Sequence, residues 1–214
     1  MNLKKLISVG STPIKITKTT YFAERTAFED FYGFDMSNVT STANHAFLQT
    51  PYDTEFSQNI YTLKNFSCNI ENITSAIRMF GFNKNLKTLK YPVDEDGICI
   101  YESGKEQATD ENNELIYNYC TLPKLSNGMS MFASCQLDRP STISILSSLP
   151  TYTDGTHELT MGTHIDNQAE ATTEGTELYT LINSTVPSKG WTLIMQYNGT
   201  LSTGVATLDL EPIY

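Results

Sequence analysis

Apolar residues in this chain fall in short alternating runs rather than in long helical stripes. Leu6, Ile14 and Ile16 are set against Lys15 and Thr17, and the run ends in Tyr21-Phe22; period two predicts one or two strands, broken at 10–13. ERTAFEDFY (24–32) reads as a short helical turn, with Phe28 and Phe31 three apart and Gly33 as its end. Over 61–73, Leu63, Phe66, Cys68 and Ile70 are inward candidates of a strand. Residues 74–80 then read as a turn of helix or 3₁₀ structure, and Leu86, Leu89 and Tyr91 as a closing strand. Ile98-Cys99-Ile100-Tyr101 predicts a short strand, GKEQATDENNE (104–114) a hairpin tip and 115–120 its return strand.

The C-terminal third is patterned more strongly. Pro140-Ser141-Thr142 opens a helix, ISILSSL, with a hydroxyl N-cap, and Leu149-Pro150 stops it. Residues 158–165 alternate Leu159, Met161 and Thr163 against Thr160, Gly162 and His164. Leu178, Leu181 and Ile182 form one apolar stripe of a helix over 174–184, bracketed by Pro187 and Gly190, and 191–197 is an apolar strand. Strand, helix, strand predicts a right-handed βαβ crossover with parallel flanking strands. Leu159, Met161, Leu178, Leu181, Ile182, Trp191, Leu193 and Met195 are then expected to be buried together. Asn198-Gly199 turns the chain toward a final strand over 205–210.

Two stretches share a ladder. ENITSAIRMFGFNKNLKTLKYPV (71–93) and LPKLSNGMSMFASC (122–135) each carry Met-Phe, with Ile73 and Leu125 seven positions before Phe80 and Phe132. Val39 and Phe47, eight apart, read as a degenerate earlier copy. A repeated apolar ladder without catalytic residues inside it points to stacked units that present a surface.

The Met-Phe-x-x-x-x-x-Leu half-repeat resembles the BspA-like leucine-rich repeats of bacterial surface proteins. ISILSSLP, HELTMGTHID and KGWTLIMQYNGT resemble the C-terminal end of leucine-rich-repeat proteins encoded by gut bacteria and their phages. The resemblance covers 73–93 and 122–200 and stops short of the first sixty residues. It implies an α+β fold: a short leucine-rich-repeat-like solenoid with a C-terminal βαβ cap and a β-rich N-terminal segment. Residues 1–60 would be an attachment segment, and 61–214 the repeat domain, interrupted by an acidic, loop-rich insertion at 94–120. The implied role is that of a non-enzymatic virion structural or decoration protein of tail, neck or head surface, contributing to host adhesion. The alternative is a bacterial cell-surface leucine-rich-repeat adhesin.

Composition narrows the classes. The chain has 214 residues, is 39% hydrophobic and only 18% charged, and contains 12 Tyr and 10 Phe. That suits a β-rich protein with a Thr, Ser and Asn surface and enough apolar residues for a core. A net charge of −10 argues against nucleic acid as a partner, because phosphate binding needs clustered Lys and Arg. One basic group stands at the start, Lys4, Lys5, Lys15 and Lys18. It is expected to be a solvated face, with docking onto an acidic virion surface as the functional alternative. No run is apolar enough to span a membrane, and MNLKKLISVG makes too short an apolar core for a signal peptide. The expected route is therefore assembly in a host cytoplasm and oligomeric residence in a particle, with other virion proteins as partners and a host-surface glycan or protein as a further one.

Candidate chemistry is sparse. Cys68, Cys99, Cys120 and Cys135 lack metal-ligand spacing and are expected as buried thiols. His164-x-Asp166 could orient an imidazole, but no nucleophile or third ligand stands beside it in sequence. Asp110, Glu111 and Glu114 lack the ligand order and glycine of an EF-hand. The N-x-S/T triplets at Asn65, Asn72 and Asn183 read as composition. No catalytic, cofactor-binding or metal-binding residues are assigned, and no cofactor is expected.

Overall fold

The computed structural model describes residues 5–8, 12, 14–22, 29–40, 44–48, 63–154 and 157–199. It is a mixed α/β structure with several small sheets. The largest has five strands in the order β1-β3-β5-β6-β7, namely Lys5–Ile7, Asp30–Tyr32, Asn65–Ser67, Thr88–Pro92 and Tyr117–Tyr119. The first four pair in parallel and β7 returns antiparallel to β6. Register is set by one row facing the core, buried at Phe31, Phe66 and Leu89 and partly so at Leu6. Leu6, Phe31, Phe66 and Leu89 are aligned, and a slip by one residue would turn all four to solvent. Beside them β2 (Ile14–Lys15) pairs in parallel with β4 (Phe34–Asp35).

Phe31 therefore lies in a strand, not in the helical turn expected over 24–32; residues 23–28 are outside the described set. The strand wins because Phe31 fills a slot between the aromatic rings of Phe34 and Phe66, stacked on it at 4.7 and 5.7 Å. β3 bonds directly to β5, so strands from either side of residue 60 share the sheet.

Behind the sheet, irregular turns are layered on one another. Phe47 N–H donates to Met79 O (2.8 Å), Phe80 N–H to Met131 O (2.9 Å) and Phe132 N–H to Thr160 O (3.1 Å). The rings follow: Phe47 stacks on Phe80 at 5.6 Å and Phe80 on Phe132 at 5.5 Å, with planes 5° and 8° apart. Each Phe is preceded two positions earlier by a left-handed residue, His45, Arg78 or Ser130, with φ of 59°, 55° and 54°. Residues 74–80 make no helix but an isolated bridge at Ser75 and a turn over 77–80, because a left-handed residue at 78 breaks any helical run.

Two further strands, β8 (His157–His164) and β9 (Trp191–Asn198), pair in parallel along their full length. The expected crossover thus forms, but its helix is broken. α3 (Gln168–Thr172) and α4 (Glu177–Thr180) lead into a π-helical stretch, Leu181–Thr185, and α5 (Val186–Ser188). Pro187 has no N–H for the carbonyl of Asn183, and its ring would strike that oxygen in an α-helix; the wider π turn relieves both problems. Leu159, Met161, Leu178, Leu181 and Trp191 are buried as expected, whereas Ile182, Leu193 and Met195 are only partly so. Among the described residues β9 pairs with β8 alone, which leaves one of its sides less covered.

The remaining elements are α1 (Ile100–Ser103) and α2 (Arg139–Ser148). Residues 98–101 do not make a strand: Cys99 bridges Val93, and the chain then turns into α1 until Gly104, at φ 67°, ends it. The N-cap of α2 is a carboxylate, not a hydroxyl; Asp138 accepts from Ser141 N–H at 2.9 Å. Ser141 is buried within the first turn, and its hydroxyl accepts from Leu89 N–H. The strand expected over 205–210 lies outside the described residues.

Candidate functional site

The groups that sequence marked for scrutiny are spread over the molecule. His164 Nδ1 lies 3.4 Å from an Asp166 oxygen and accepts the Asp166 N–H at 3.3 Å, a local turn at the end of β8. Asp110 Oδ1 accepts from Asn112 N–H and Glu114 N–H (2.8 and 2.9 Å). The Glu114 and Asn112 amides hold that carboxyl below its usual range, as in a solvated hairpin tip. The His157 ring stacks on Tyr152 at 3.7 Å, with its nitrogens facing the carbonyls of Ser126 and Asp154. All four cysteines are free and buried. Burial pushes each thiol up, Cys99 to about 11 and the others further. Among the described residues no three His, Cys, Asp or Glu side chains are grouped as metal ligands.

Two of the four N-terminal lysines are paired within the fold, and among the described residues Lys18 has no carboxylate in ion-pair range. Lys5 meets Asp30 at 3.0 Å and Lys15 meets Asp35 at 3.9 Å; Lys4 is outside the described residues. Asp30 also accepts from Asn65 Nδ2 at 2.6 Å. The Asn65 bond and the Lys5 ammonium hold that carboxyl low despite its burial.

A different basic group forms on the solvent face of the five-stranded sheet. A groove of about 490 Å³ is lined by Lys64, Lys87 and Lys90, with Asn65, Ser67, Thr88 and Tyr117 among its polar walls. Local periodicity builds it. In β5 and β6, Phe66 and Leu89 point to the core, so Asn65, Ser67, Thr88 and Lys90 stand on the opposite face. Lys90 is opposite Tyr119 across β6 and β7, and its ammonium lies 4.4 Å from the centroid of the Tyr117 ring. Lys64 is bound to Glu29 at 2.7 Å. Among the described residues neither Lys87 nor Lys90 has a carboxylate in ion-pair range. Asp138, nearby, is taken by Thr88 Oγ1 (2.7 Å) and the start of α2.

Sequence reasoning missed this group. Its signal was present as the i, i+3, i+6 spacing of KNLKTLK (84–90), but Lys64 joins it only through the pairing of β5 with β6.

No protein-family model, no curated protein and no solved structure matched the chain in comparison.

Proposed function

We propose that the chain is a non-enzymatic structural or decoration protein of a phage particle, on tail, neck or head, built as a short leucine-rich-repeat-like solenoid that presents its sheet face outward. The observation that carries this reading is the column Phe47–Phe80–Phe132 with its backbone rungs. A second ladder position supports the repeat. Asn83 and Cys135 each follow their Phe by three residues, and each donates back to the Phe carbonyl of the layer before it. Asn83 Nδ2 reaches Phe47 O at 2.8 Å and Cys135 Sγ reaches Phe80 O at 3.2 Å. Leucine-rich repeats use Asn or Cys at one such position. The β8–crossover–β9 unit would then cap the stack, as a terminal unit must.

Attachment to other particle proteins runs, in this reading, through residues 1–60. Ile14 and Tyr21 there are 56% and 59% exposed and offer apolar contacts, while Lys5 and Lys15 are already paired with Asp30 and Asp35. Four buried free thiols suit folding in a reducing cytoplasm before assembly.

The test is quantitative mass spectrometry of purified particles beside the envelope fraction of the producing cells. Peptides of this chain at a fixed copy number per particle are expected, a few for a tail or neck and hundreds for a head. Peptides confined to the envelope fraction would replace this reading with a cell-surface adhesin.

A further inference from the structure

We infer that the groove over β5 and β6 is a binding site for an anionic glycan, an oligosaccharide carrying carboxylates along its length. The inference rests on the reading of the sheet face as a presented surface, and it concerns what that face takes. On a chain of net charge −10, Lys64, Lys87 and Lys90 converge on one concavity. Among the described residues two of the three ammonium groups have no carboxylate in ion-pair range; Glu29 is paired with Lys64 and Asp30 with Lys5, while the Asp138 oxygens accept from Thr88 Oγ1 and from Ser141 N–H at the start of α2. A cationic pocket in an acidic surface concentrates anions locally while repelling them elsewhere.

The lining then chooses among anions. Asn65 and Thr88 each give one donor, to Asp30 and Asp138 respectively, which leaves the second Asn65 amide N–H, its carbonyl and the Thr88 oxygen as an acceptor, beside Ser67, to meet sugar hydroxyls on a rigid strand floor. Tyr117, 38% exposed, supplies a ring wall against which a pyranose can lie. An acidic peptide is the poorer fit. Peptides that bind sheets add a strand at a free edge, whereas β5 and β6 are both flanked, by β3 and β7. Lys90 is held in place by the Tyr117 ring, so the charge is partly pre-positioned and less side-chain entropy is lost on binding.

The experiment is calorimetric titration of the full chain with tetragalacturonate, with maltotetraose and a tetraglutamate peptide as comparators, at low and at physiological salt. The expected result is saturable binding of tetragalacturonate that weakens as salt rises, no binding of maltotetraose, and weaker binding of tetraglutamate. Lys87→Gln/Lys90→Gln should reduce affinity at least ~10-fold, with Tyr117→Ala reducing it for tetragalacturonate more than for tetraglutamate. Lys124→Gln, which lies off the groove, should leave binding unchanged. The glutamines remove the charge while keeping part of each polar stem, and an unaltered unfolding midpoint confirms an intact fold. Absent binding, binding insensitive to the double substitution, or tetraglutamate bound as tightly as tetragalacturonate would each overturn the inference. Because purified protein is used, that failure leaves particle incorporation standing, and a failure of incorporation leaves this result standing.

Discussion

Phe80 and Phe132 stack with ring centroids 5.5 Å apart and planes 8° from parallel, although residues 94–120 lie between them in sequence. Both are fully buried, and the Phe80 N–H donates to the carbonyl of Met131 beside its partner. Residues 94–120 add α1 and the sheet strand β7 between them without separating the two rings.

Each ring should therefore matter alone and through its neighbour. Phe80→Ala and Phe132→Ala are each expected to cost about 3–5 kcal/mol in denaturant unfolding. The double variant should show a coupling of about 0.5–1.5 kcal/mol, because the stacked pair is lost once rather than twice. Strict additivity would mean that the rings do not act as a column.

Asn83 is fully buried, and its amide joins three backbone groups: Leu63 N–H, Phe47 O and Phe80 O. Asn83→Ala is expected to cost about 2–3 kcal/mol by orphaning them. Asn83→Asp should cost more at neutral pH, since it sets a carboxylate against two carbonyls. Urea unfolding of the two variants ranks them, and Asp milder than Ala would contradict the assigned bonds.

Trp191 is the sole tryptophan, 4% exposed, and its Nε1–H donates to Pro150 O at 2.8 Å. Trp191→Ala should cost about 3–5 kcal/mol and Trp191→Phe roughly 1–2, the latter mostly the lost bond. Native fluorescence should be blue-shifted and weakly quenched by iodide. A loss below about 1 kcal/mol for the alanine variant would place the indole outside the core.

Gly162 lies where β8 passes the preceding layer. A Cβ there would stand 2.2 Å from Phe132 O and 2.7 Å from Cys135 N, both backbone atoms that cannot step aside. Gly162→Ala should cost ~3 kcal/mol or prevent folding. Gly175 has open space but φ +88°, so Gly175→Ala should cost only about 1 kcal/mol. Thermal melts of the two variants make the comparison.

The thiols give a pH dependence of known sign. Burial raises the Cys99 thiol from its ordinary 9.0 to about 11, and it raises Cys68, Cys120 and Cys135 as well. A raised folded value means the unfolded chain loses protons first as pH rises. This contribution is complete below pH 9 and is lost as pH climbs from there through 11. At pH 8 the native thiols should resist a disulfide reagent and react fully in denaturant. Rapid native labelling of any of the four would contradict their burial.

What the sequence determined by itself is what short-range pattern encodes. Alternation over 158–165 and 191–197 predicts β8 and β9, and a single helical stripe between them requires parallel pairing. The apolar ladder before Phe80 and Phe132 marks both as core. Tertiary structure decided the rest, because pairing between remote strands leaves no local trace. Phe31 became strand rather than helix through its neighbours Phe34 and Phe66. Residues 98–101 curled into a helical turn because Cys99 is pinned to Val93. Lys64 met Lys87 and Lys90 only when β5 settled beside β6, and Lys5 and Lys15 were neutralised only when β3 and β4 brought Asp30 and Asp35 to them. Charge in a sequence is a list of positions; which charges add and which cancel is fixed by distances that the fold alone creates.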